Sequence, residues 1–173
     1  GIVSGDTVTP VTAGATASFA TKTAETGKTV TLAGLTLGGG DAANYAVTQP
    51  TTTADITAKT LTVTGVTAAN KVYDRTLTAT LNFANAALVG VESGDTVTPA
   101  SSATTGTFAT VGVATAKTVS VAGLTLSGAD AGNYTVTQPT TTADITAKAL
   151  TVIGATAATK IYDQNATATL SFG

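Results

Sequence analysis

One stretch occurs twice in this chain and constrains its fold more than any other feature. Asn44–Lys59 reads NYAVTQPTTTADITAK, and Asn133–Lys148 reads NYTVTQPTTTADITAK. The copies begin 89 residues apart, and the surrounding sequence repeats at this spacing without insertion or deletion. Solenoid and β-helix repeats are much shorter, so a repeat this long is the size of a small domain. We therefore expect tandem units, each with its own core.

Apolar and polar residues alternate along most runs, which predicts strands rather than helices. Leu77–Phe83 alternates apolar side chains with threonine and asparagine, and Tyr134–Val136 continues in the same way. Such alternation is typical of a strand with one buried and one wet face. Only Ala84–Val89 has a helical composition, and it is too short to form an independent helix. With turn residues between the runs, the sequence predicts an all-β fold of antiparallel sandwiches.

The alternation shifts by one residue at two glycines that occupy the same place in the two copies. Val119 and Val121 would lie on one face of a strand, whereas Leu124, beyond Gly123, would lie on the other. The same shift occurs at Gly34. A glycine inside a strand pattern marks a bulge or a strand that changes sheets. Gly34 and Gly123 are therefore predicted to have structural roles.

A second reversal of the apolar face marks the boundary between units. Ile145 and Leu150 have opposite phases, so the face reverses across Thr146–Lys148. The absence of a Gly- or Ser-rich linker at this point predicts a stiff array, because a connection of two or three residues leaves little freedom. The predicted units are the back part of one repeat (1–58), a complete repeat (59–147) and the opening strands of a third (148–173).

The composition excludes several functional classes. Charged residues make up 10% of the chain and the net charge is -2, so there is no basic surface for nucleic acid. The chain has no Cys, Met, Trp or His. It therefore lacks thiolate metal sites, a Cys nucleophile and the usual general base. No apolar run approaches the length of a membrane span. We expect a protein that is not an enzyme and needs no cofactor.

Several motifs, taken in order, resemble those of the YDG-type repeats. They are KTLTVTG at Lys59–Gly65, KVYD at Lys71–Asp74, SGD at Ser93–Asp95 and GLTLSGADAGNY at Gly123–Tyr134. These repeats belong with the mostly bacterial Ig-like repeats of large secreted surface proteins. The resemblance covers the whole chain and implies an Ig-like β-sandwich, used in tandem in an adhesin or a filamentous-haemagglutinin-like exoprotein.

The chain departs from that motif at its third letter, where Arg75 and Gln164 stand in place of glycine. If the family's glycine has a positive φ, these two copies must turn differently or accept strain. The motif also presents two candidate sites, Tyr73-Asp74 and Tyr162-Asp163. Each Tyr could be a contact platform and each Asp a ligand. We favour a structural interpretation, with Tyr packed over a corner and Asp accepting backbone donors in a turn.

A calcium site is a further candidate, although the acidic residues are isolated in the sequence. They recur as Asp6 and Asp95, Asp41 and Asp130, Asp55 and Asp144, and Asp74 and Asp163. Calcium needs six or more oxygens and usually clustered carboxylates. The loop SGADAGN could supply Asp130, backbone carbonyls and Asn133, so a site at a junction between units stays open as an alternative.

An internal isopeptide bond between a lysine and Asn or Asp is a second alternative. It would need a lysine such as Lys71 or Lys117 buried beside a carboxamide and an acid, because burial lowers the pKa of an amine enough for it to attack. Solvated lysines at strand ends are the simpler interpretation.

The sequence therefore leaves two functions open. One is a structural stalk or spacer of an extracellular bacterial surface protein that mediates cell adhesion or biofilm formation. Its partners would be neighbouring repeats of the same chain. The other is a binding or self-assembly module, in which Thr-rich faces such as Thr62 and Thr64, or exposed edge strands, hold a surface glycan or other copies in a filament.

Overall fold

The computed structural model describes residues 1–172, and strands joined by turns dominate it. Among these residues there is no α-helix, and the only helical segments are the short 3-10 helices Ala42–Asn44 and Ala131–Asn133. The prediction of an all-β fold is confirmed. Within Ala84–Val89, a turn precedes a short strand at Ala87–Val89.

Residues 1–58, here called the head, contain five strands in two antiparallel sheets. The strands are β1 (Thr9–Val11), β2 (Thr16–Phe19), β3 (Glu25–Ala33), β4 (Thr36–Gly38) and β5 (Thr51–Ile56). One sheet has the order β2-β3-β5, and in the other β1 pairs with β4. Phe19 lies opposite Val30 in the larger sheet, so apolar side chains gather on one of its faces.

Residues 59–147, the middle region, contain twelve strands. They are β6 (Lys59–Thr64), β7 (Thr67–Ala68), β8 (Lys71–Val72), β9 (Thr78–Ala79), β10 (Leu81–Asn82), β11 (Ala87–Val89), β12 (Thr98–Ala100), β13 (Thr105–Phe108), β14 (Ala114–Ala122), β15 (Thr125–Ser127), β16 (Tyr134–Val136) and β17 (Thr140–Thr146). A five-stranded sheet has the order β8-β17-β14-β13-β9, and a three-stranded sheet has the order β11-β6-β16. The pairs β12-β15 and β7-β10 complete the region.

Most pairings are antiparallel, as the sequence predicts, but two are parallel. β6 runs parallel to β16, with Lys59 opposite Tyr134, and β8 runs parallel to β17, with Lys71 opposite Ile145. Each pair joins an early strand of the middle region to a late one. A long intervening chain permits either direction, whereas a hairpin permits only the antiparallel one. These two pairs hydrogen-bond the beginning of the middle region to its end.

The core of the middle region forms between its early and late strands. Phe108 is 1% exposed, and Leu61, from β6, is completely buried. The core cluster consists of Ala79, Phe108, Val119, Ala143 and Ile145, with Ala68, Tyr73 and Leu81 packed against it. Because four of these residues precede β11 and four follow it, neither half of the region can bury the cluster alone.

The chain changes sheets at the two glycines where the alternation shifts. β14 ends at Ala122 in the five-stranded sheet, and β15 begins at Thr125 beside β12. Gly123 lies between them with φ +80°, and a Cβ there would lie 2.8 Å from the carbonyl oxygen of Ala103. Gly34 has the same place between β3 and β4, with φ +76°. A side chain at either position would meet both a strained φ and a steric clash.

The run Leu77–Phe83 is not one continuous strand, which corrects the sequence-based prediction. It forms β9 and β10, which pair with β13 and β7 in different sheets. Ala79 is buried, but Leu77 is 40% exposed. The alternation indicates which side chains share a face, but it does not indicate where a strand exchanges one partner for another.

Residues 148–172, the tail, contain only one strand pair, β18 (Ala155–Ala157) with β19 (Leu170–Phe172). The preceding strand, β17, ends at Thr146. At the earlier boundary, β5 ends at Ile56 and β6 begins at Lys59 in a different sheet. Two residues therefore connect the head to the middle region.

Candidate functional site

The Tyr73-Asp74 motif forms a closed polar turn. Asp74 Oδ1 accepts hydrogen bonds from Lys71 Nζ at 2.8 Å, from Thr76 N at 2.8 Å and from Thr76 Oγ1 at 2.9 Å. The Lys71 hydrogen bond, with those of Thr76, lowers the pKa of Asp74 to about 2. Lys71 Nζ also lies 5.5 Å from the centre of the Phe108 ring, and Tyr73 packs against the core. The motif therefore connects the turn to the core, and one oxygen of its carboxylate accepts three hydrogen bonds from the chain.

Tyr162-Asp163 forms the same kind of turn in the tail, but without a core beneath it. Lys160 Nζ donates to Asp163 Oδ1 at 2.7 Å, and this hydrogen bond lowers the pKa of Asp163. Asn165 N donates to the same oxygen at 3.1 Å. Tyr162 is 86% exposed. The turn is thus a local structure that forms from neighbouring residues alone.

An isopeptide bond would need a lysine amine beside a carboxamide, so the contacts of the lysines test this alternative. Lys71 contacts Asp74, Thr76 and the carbonyl oxygen of Thr78, and Lys117 donates to the hydroxyl of Thr110. Lys160 Nζ does lie 2.7 Å from the carboxamide oxygen of Asn165, but its side chain is 38% exposed and ion-paired with Asp163. Amide formation needs an uncharged amine in a low-polarity environment. Lys71 and Lys160 are instead ion-paired with Asp74 and Asp163, and the contact of Lys117 is a threonine hydroxyl rather than a carboxamide.

Arg75 and Gln164, which replace the motif's glycine, both adopt the left-handed conformation. Their φ angles are +65° and +63°. Non-glycine residues pay roughly 1–2 kcal/mol in this conformation. The sequence left two alternatives, a different turn or a strained one, and these φ angles show the strained turn.

The other repeated acids accept hydrogen bonds from distant parts of the chain. Tyr134 donates its hydroxyl to Asp95 Oδ2 at 2.7 Å, and Tyr45 donates to Asp6 Oδ2 at 2.8 Å. Backbone N–H groups occupy four further carboxylates, those of Asp41, Asp130, Asp55 and Asp144. Each of these bonds joins two segments of the same region that lie 28 to 39 positions apart in the sequence.

The two residues considered for calcium are engaged by donors of the chain. Asp130 Oδ2 accepts from Thr96 N at 2.8 Å, and Asn133 Oδ1 accepts from Ala24 N at 2.9 Å. Within residues 1–172 no three side chains of the metal-binding types gather into a group. These two hydrogen bonds give both side chains a structural role within the chain.

The glutamine of the repeated stretch clamps the chain beside each sheet-changing glycine. Gln138 Oε1 accepts from Leu124 N at 3.0 Å, and its Nε2 donates to Leu124 O at 2.8 Å. Gln49 makes the same two bonds to Leu35, at 3.0 and 2.8 Å. The amide side chain thus replaces a neighbouring strand where the backbone would otherwise lack partners.

Residues of the head and the middle region meet at the junction between them. A cavity of about 330 Å³ lies there. Both sides of the boundary line it, through Lys22, Ala24, Ile56, Thr57, Lys59, Glu92, Ser93, Asp95, Asn133 and Tyr134. Two polar contacts cross the boundary, from Ala24 N to Asn133 Oδ1 at 2.9 Å and from Lys22 Nζ to Asp95 Oδ1 at 3.4 Å.

Electrostatics at the junction keep its groups charged. Lys59, the first residue of β6, forms an ion pair with Glu92, and this hydrogen bond raises the pKa of Lys59. The hydroxyl of Tyr134 lowers the pKa of Asp95, and Lys22 adds to the effect. Since the Lys22 side chain is 82% exposed, its ion pair contributes little to stability. The Ala24–Asn133 hydrogen bond is shorter and partly buried, so it should contribute more to holding the two regions together.

Sequence reasoning treated Asn133 only as a calcium ligand and did not identify the junction residues. The signal was present, because Asn44 and Asn133 both begin the repeated stretch and Tyr45 and Tyr134 follow them. It also missed Lys28, which is 6% exposed and donates to Thr21 and Thr23. No local pattern predicts that a lysine in the middle of a strand is buried.

A family model described as YDG domain matches this chain. The model matches residues 1–54 and again residues 57–143. No curated protein and no solved structure matches the chain. No helix within residues 1–172 combines the length and the apolar character that crossing a membrane requires.

Proposed function

The chain belongs to the YDG domain family, and we propose that it is a structural spacer in a large secreted bacterial surface adhesin. In this proposal the 89-residue units are Ig-like β-sandwiches in tandem. They extend the stalk that separates the cell surface from the part of the adhesin that engages a target. The function is mechanical, and no catalytic step is involved.

The observation that supports this proposal best is the junction. Only residues 57–58 separate β5 from β6, and the Ala24–Asn133 hydrogen bond joins the two sides beyond that connection. A short connection with a lateral contact restricts both bending and rotation, whereas a flexible linker restricts neither. A stalk needs this property, because a freely jointed array would not hold its ends apart.

The use of the polar side chains supports a non-enzymatic role. The repeated acids accept hydrogen bonds from Thr76, Thr96, Tyr134 and other groups of the chain. A catalytic acid or base instead needs access to a substrate proton.

At about 3.3 Å per residue, the nine-residue strand β14 spans roughly 30 Å. A few such units in tandem would hold the two ends of a stalk far apart, and the units could have nearly the same sequence.

Inserting a Gly-Ser-rich segment of four residues between Ala58 and Lys59 tests the spacer role. We expect the largest dimension of the 173-residue chain to become broadly distributed in small-angle X-ray scattering, while the thermal transition of the middle region stays unchanged. The matched control places the same insert after Gly112, in a loop within the middle region. Equal flexibility before and after insertion at the boundary would contradict the proposal.

A second candidate, self-assembly through edge strands, is favoured by the exposure of large apolar side chains in the head and the tail. Leu150 is 88% exposed and Phe172 is 63% exposed. Unpaired strand edges accept further strands readily. A glycan held on the Thr-rich faces is the other form of this binding role, and glycan-array binding that is lost when Thr62 and Thr64 are changed to Ala would support it.

A further inference from the structure

We infer that the middle region is a mechanical clamp, in which the first and last strands of the unit resist tension along the chain by shear. The inference deepens the proposed spacer function, on which the use of such a clamp in a stalk rests. It concerns only the strands β6 to β17, which pair with one another within residues 59–147.

Two segments of the middle region run side by side. The opening segment, residues 59–73, contains β6, β7 and β8, and the closing segment, residues 134–146, contains β16 and β17. β6 pairs with β16 and β8 with β17, in both cases parallel, and β7 contacts β17 between them. The two segments are therefore held together at both ends and run in the same direction.

The pairing keeps nearly one register along its length. Lys59 lies opposite Tyr134 at one end, and Lys71 lies opposite Ile145 at the other. Residues that meet across the segments are 75 positions apart at the first end and 74 or 75 at the second. The segments thus advance together, residue by residue, from one end of the pair to the other.

Hydrogen bonds beyond the paired residues strengthen the first end. Thr137 N donates to Leu61 O at 2.9 Å. The hydroxyls of Thr60 and Thr135 lie 3.1 Å apart and form a further hydrogen bond. β6 is thus bonded to the closing segment through both backbone and side-chain groups.

The second end has its own set of hydrogen bonds. Tyr73 N donates to Thr146 O at 2.9 Å. Asp144 N donates to Oδ1 of the Asn70 side chain at 2.7 Å. The carboxamide of Asn70 therefore bonds the closing segment just before β8 begins.

The closing segment keeps one direction through its proline. Pro139 separates β16 from β17, but β14 pairs antiparallel with β17 and continues into β15, which lies beside β16. The chain reverses in the loop at residues 128–133, between β15 and β16. β16 and β17 are thus successive parts of one run of chain.

The chain enters and leaves the middle region at opposite ends of this pair. It enters at Lys59, beside Tyr134, and it leaves after Thr146. At about 3.3 Å per residue, the closing segment separates these two points by up to roughly 40 Å. Tension along the chain therefore pulls the opening segment towards its start and the closing segment towards its end, in opposite directions along parallel strands.

Buried side chains oppose sliding of one segment past the other. Leu61, in β6, is completely buried, and Ile145, in β17, is 1% exposed. A shift of one residue turns every side chain of a strand to the opposite face. Sliding must therefore break the hydrogen bonds at both ends and withdraw both apolar side chains from the core together.

A pair of strands pulled apart from the same end behaves differently. Its hydrogen bonds are loaded one after another, and a single hydrogen bond contributes little net stability in water. In shear the bonds of both ends share the load and must yield together. Forced unfolding follows the unfolding rate, so the clamp should slow unfolding under tension without requiring a high equilibrium stability.

Force spectroscopy on the 173-residue chain, pulled through two different pairs of handles, tests the inference. The chain has no cysteine, so handles can be attached to introduced cysteines. Thr57→Cys with Lys148→Cys, both at exposed positions, loads the two segments in shear. Thr57→Cys with Gly132→Cys pulls them apart from one end, and a Cβ at Gly132 meets no neighbour within 4 Å. At equal pulling speed we expect a several-fold higher unfolding force in shear.

A matched pair of proline variants, pulled in shear, locates the resistance. Thr137→Pro removes the N–H group that donates to Leu61 O. Ala109→Pro also removes an exposed N–H donor, but its bond to Thr118 O at 3.0 Å lies at the β13-β14 hairpin. We expect the unfolding force to fall clearly more in Thr137→Pro, and the urea midpoint of each variant corrects for general loss of stability. If a proline prevents folding, the two pulling geometries still decide.

Two results would overturn the inference. They are equal unfolding forces in the two pulling geometries, and a larger corrected loss of force in Ala109→Pro than in Thr137→Pro. Neither result would contradict the spacer role, which the scattering experiment at the junction tests separately. A chain that is flexible at the junction, yet unfolds only at high force in shear, would contradict the spacer role and leave the clamp standing.

Discussion

The head and the middle region contain corresponding sheets in the same register, yet only the middle region has a closed core. Phe19 and Val30 face each other in the head as Phe108 and Val119 do in the middle region. The exposed fraction of the phenylalanine nevertheless falls from 40% to 1%. The difference comes from the early strands β6 to β10, which cover the sheet of the middle region, whereas no strand within residues 1–172 covers the sheet of the head.

This comparison shows that strand pairing and core burial depend on different parts of the unit. The strands β2, β3 and β5 pair in the same register as β13, β14 and β17, so the late strands can pair in this register without the early ones. Burial requires the early strands, which reach the late strands through the long-range pairs β6-β16 and β8-β17. The free energy of unfolding should therefore respond very differently to equivalent substitutions in the two regions.

The largest expected effect is that of removing the core phenylalanine. Phe108→Ala should lower the free energy of unfolding of the middle region by about 3–5 kcal/mol, because it leaves a cavity in a packed core. Phe19→Ala should cost about 1 kcal/mol or less in the head, where the ring is partly solvated. Hydrogen exchange measured by mass spectrometry separates the two regions. Equal losses of protection would show that the head has a closed core after all.

A smaller effect is expected at the sheet-changing glycines. Gly123→Ala forces a Cβ against the carbonyl oxygen of Ala103 at φ +80°, so we expect a loss of about 2 kcal/mol. Gly34→Ala meets the carbonyl oxygen of Gly14 at 2.7 Å, but the head has less cooperative structure to lose. Urea denaturation followed by circular dichroism measures both, and an unchanged midpoint for Gly123→Ala would exclude a tight turn there.

The bulge in β14 offers a stabilising change. Ala116 has φ +48°, whereas its equivalent in the head, Gly27, has φ +65°. Both N–H groups donate to an aspartate, Asp144 or Asp55. Ala116→Gly should stabilise the middle region by up to about 1 kcal/mol, because relief of strain exceeds the added entropy of the unfolded chain. Gly27→Ala should have the opposite sign in the head, and the same urea titration tests both.

The smallest effect is expected from acid. The pKa of Asp74 is lowered to about 2 by Lys71 and Thr76, so its contribution is complete above the usual carboxyl pKa near 4 and is lost as the pH falls towards 2. We expect the thermal midpoint of the middle region to fall across this window. Asp74→Asn should reduce the fall. An identical pH profile in the variant would show that other carboxylates control acid unfolding.

Much of this fold was predictable from local sequence. The alternation in Tyr134–Val136 indicated a strand, and the shifts at Gly34 and Gly123 marked the places where a strand leaves its sheet. The parallel pairs were not predictable, because residues such as Lys59 and Tyr134 are far apart in the sequence and no hairpin relates them. The division of Leu77–Phe83 into two strands also depends on distant partners.

The candidate site was less predictable than the fold. Turn chemistry led to Asp74 as a backbone acceptor, and the structure places Thr76 N 2.8 Å from it. The junction was missed, because the contact of Asn133 with Ala24 joins residues more than a hundred positions apart. The sequence around a side chain that connects two units has no recognisable pattern. Each such side chain needs only one partner, and that partner can lie anywhere along the chain.

The sequence by itself determined the all-β class, the local turns and the places where strands change sheets. These follow from interactions between neighbours, which every copy of the repeat contains. Only the tertiary structure decided which copy of a residue is buried, as Phe19 and Phe108 show. The physical reason is that burial depends on chain brought from elsewhere, and identical local sequences can receive that covering chain or lack it.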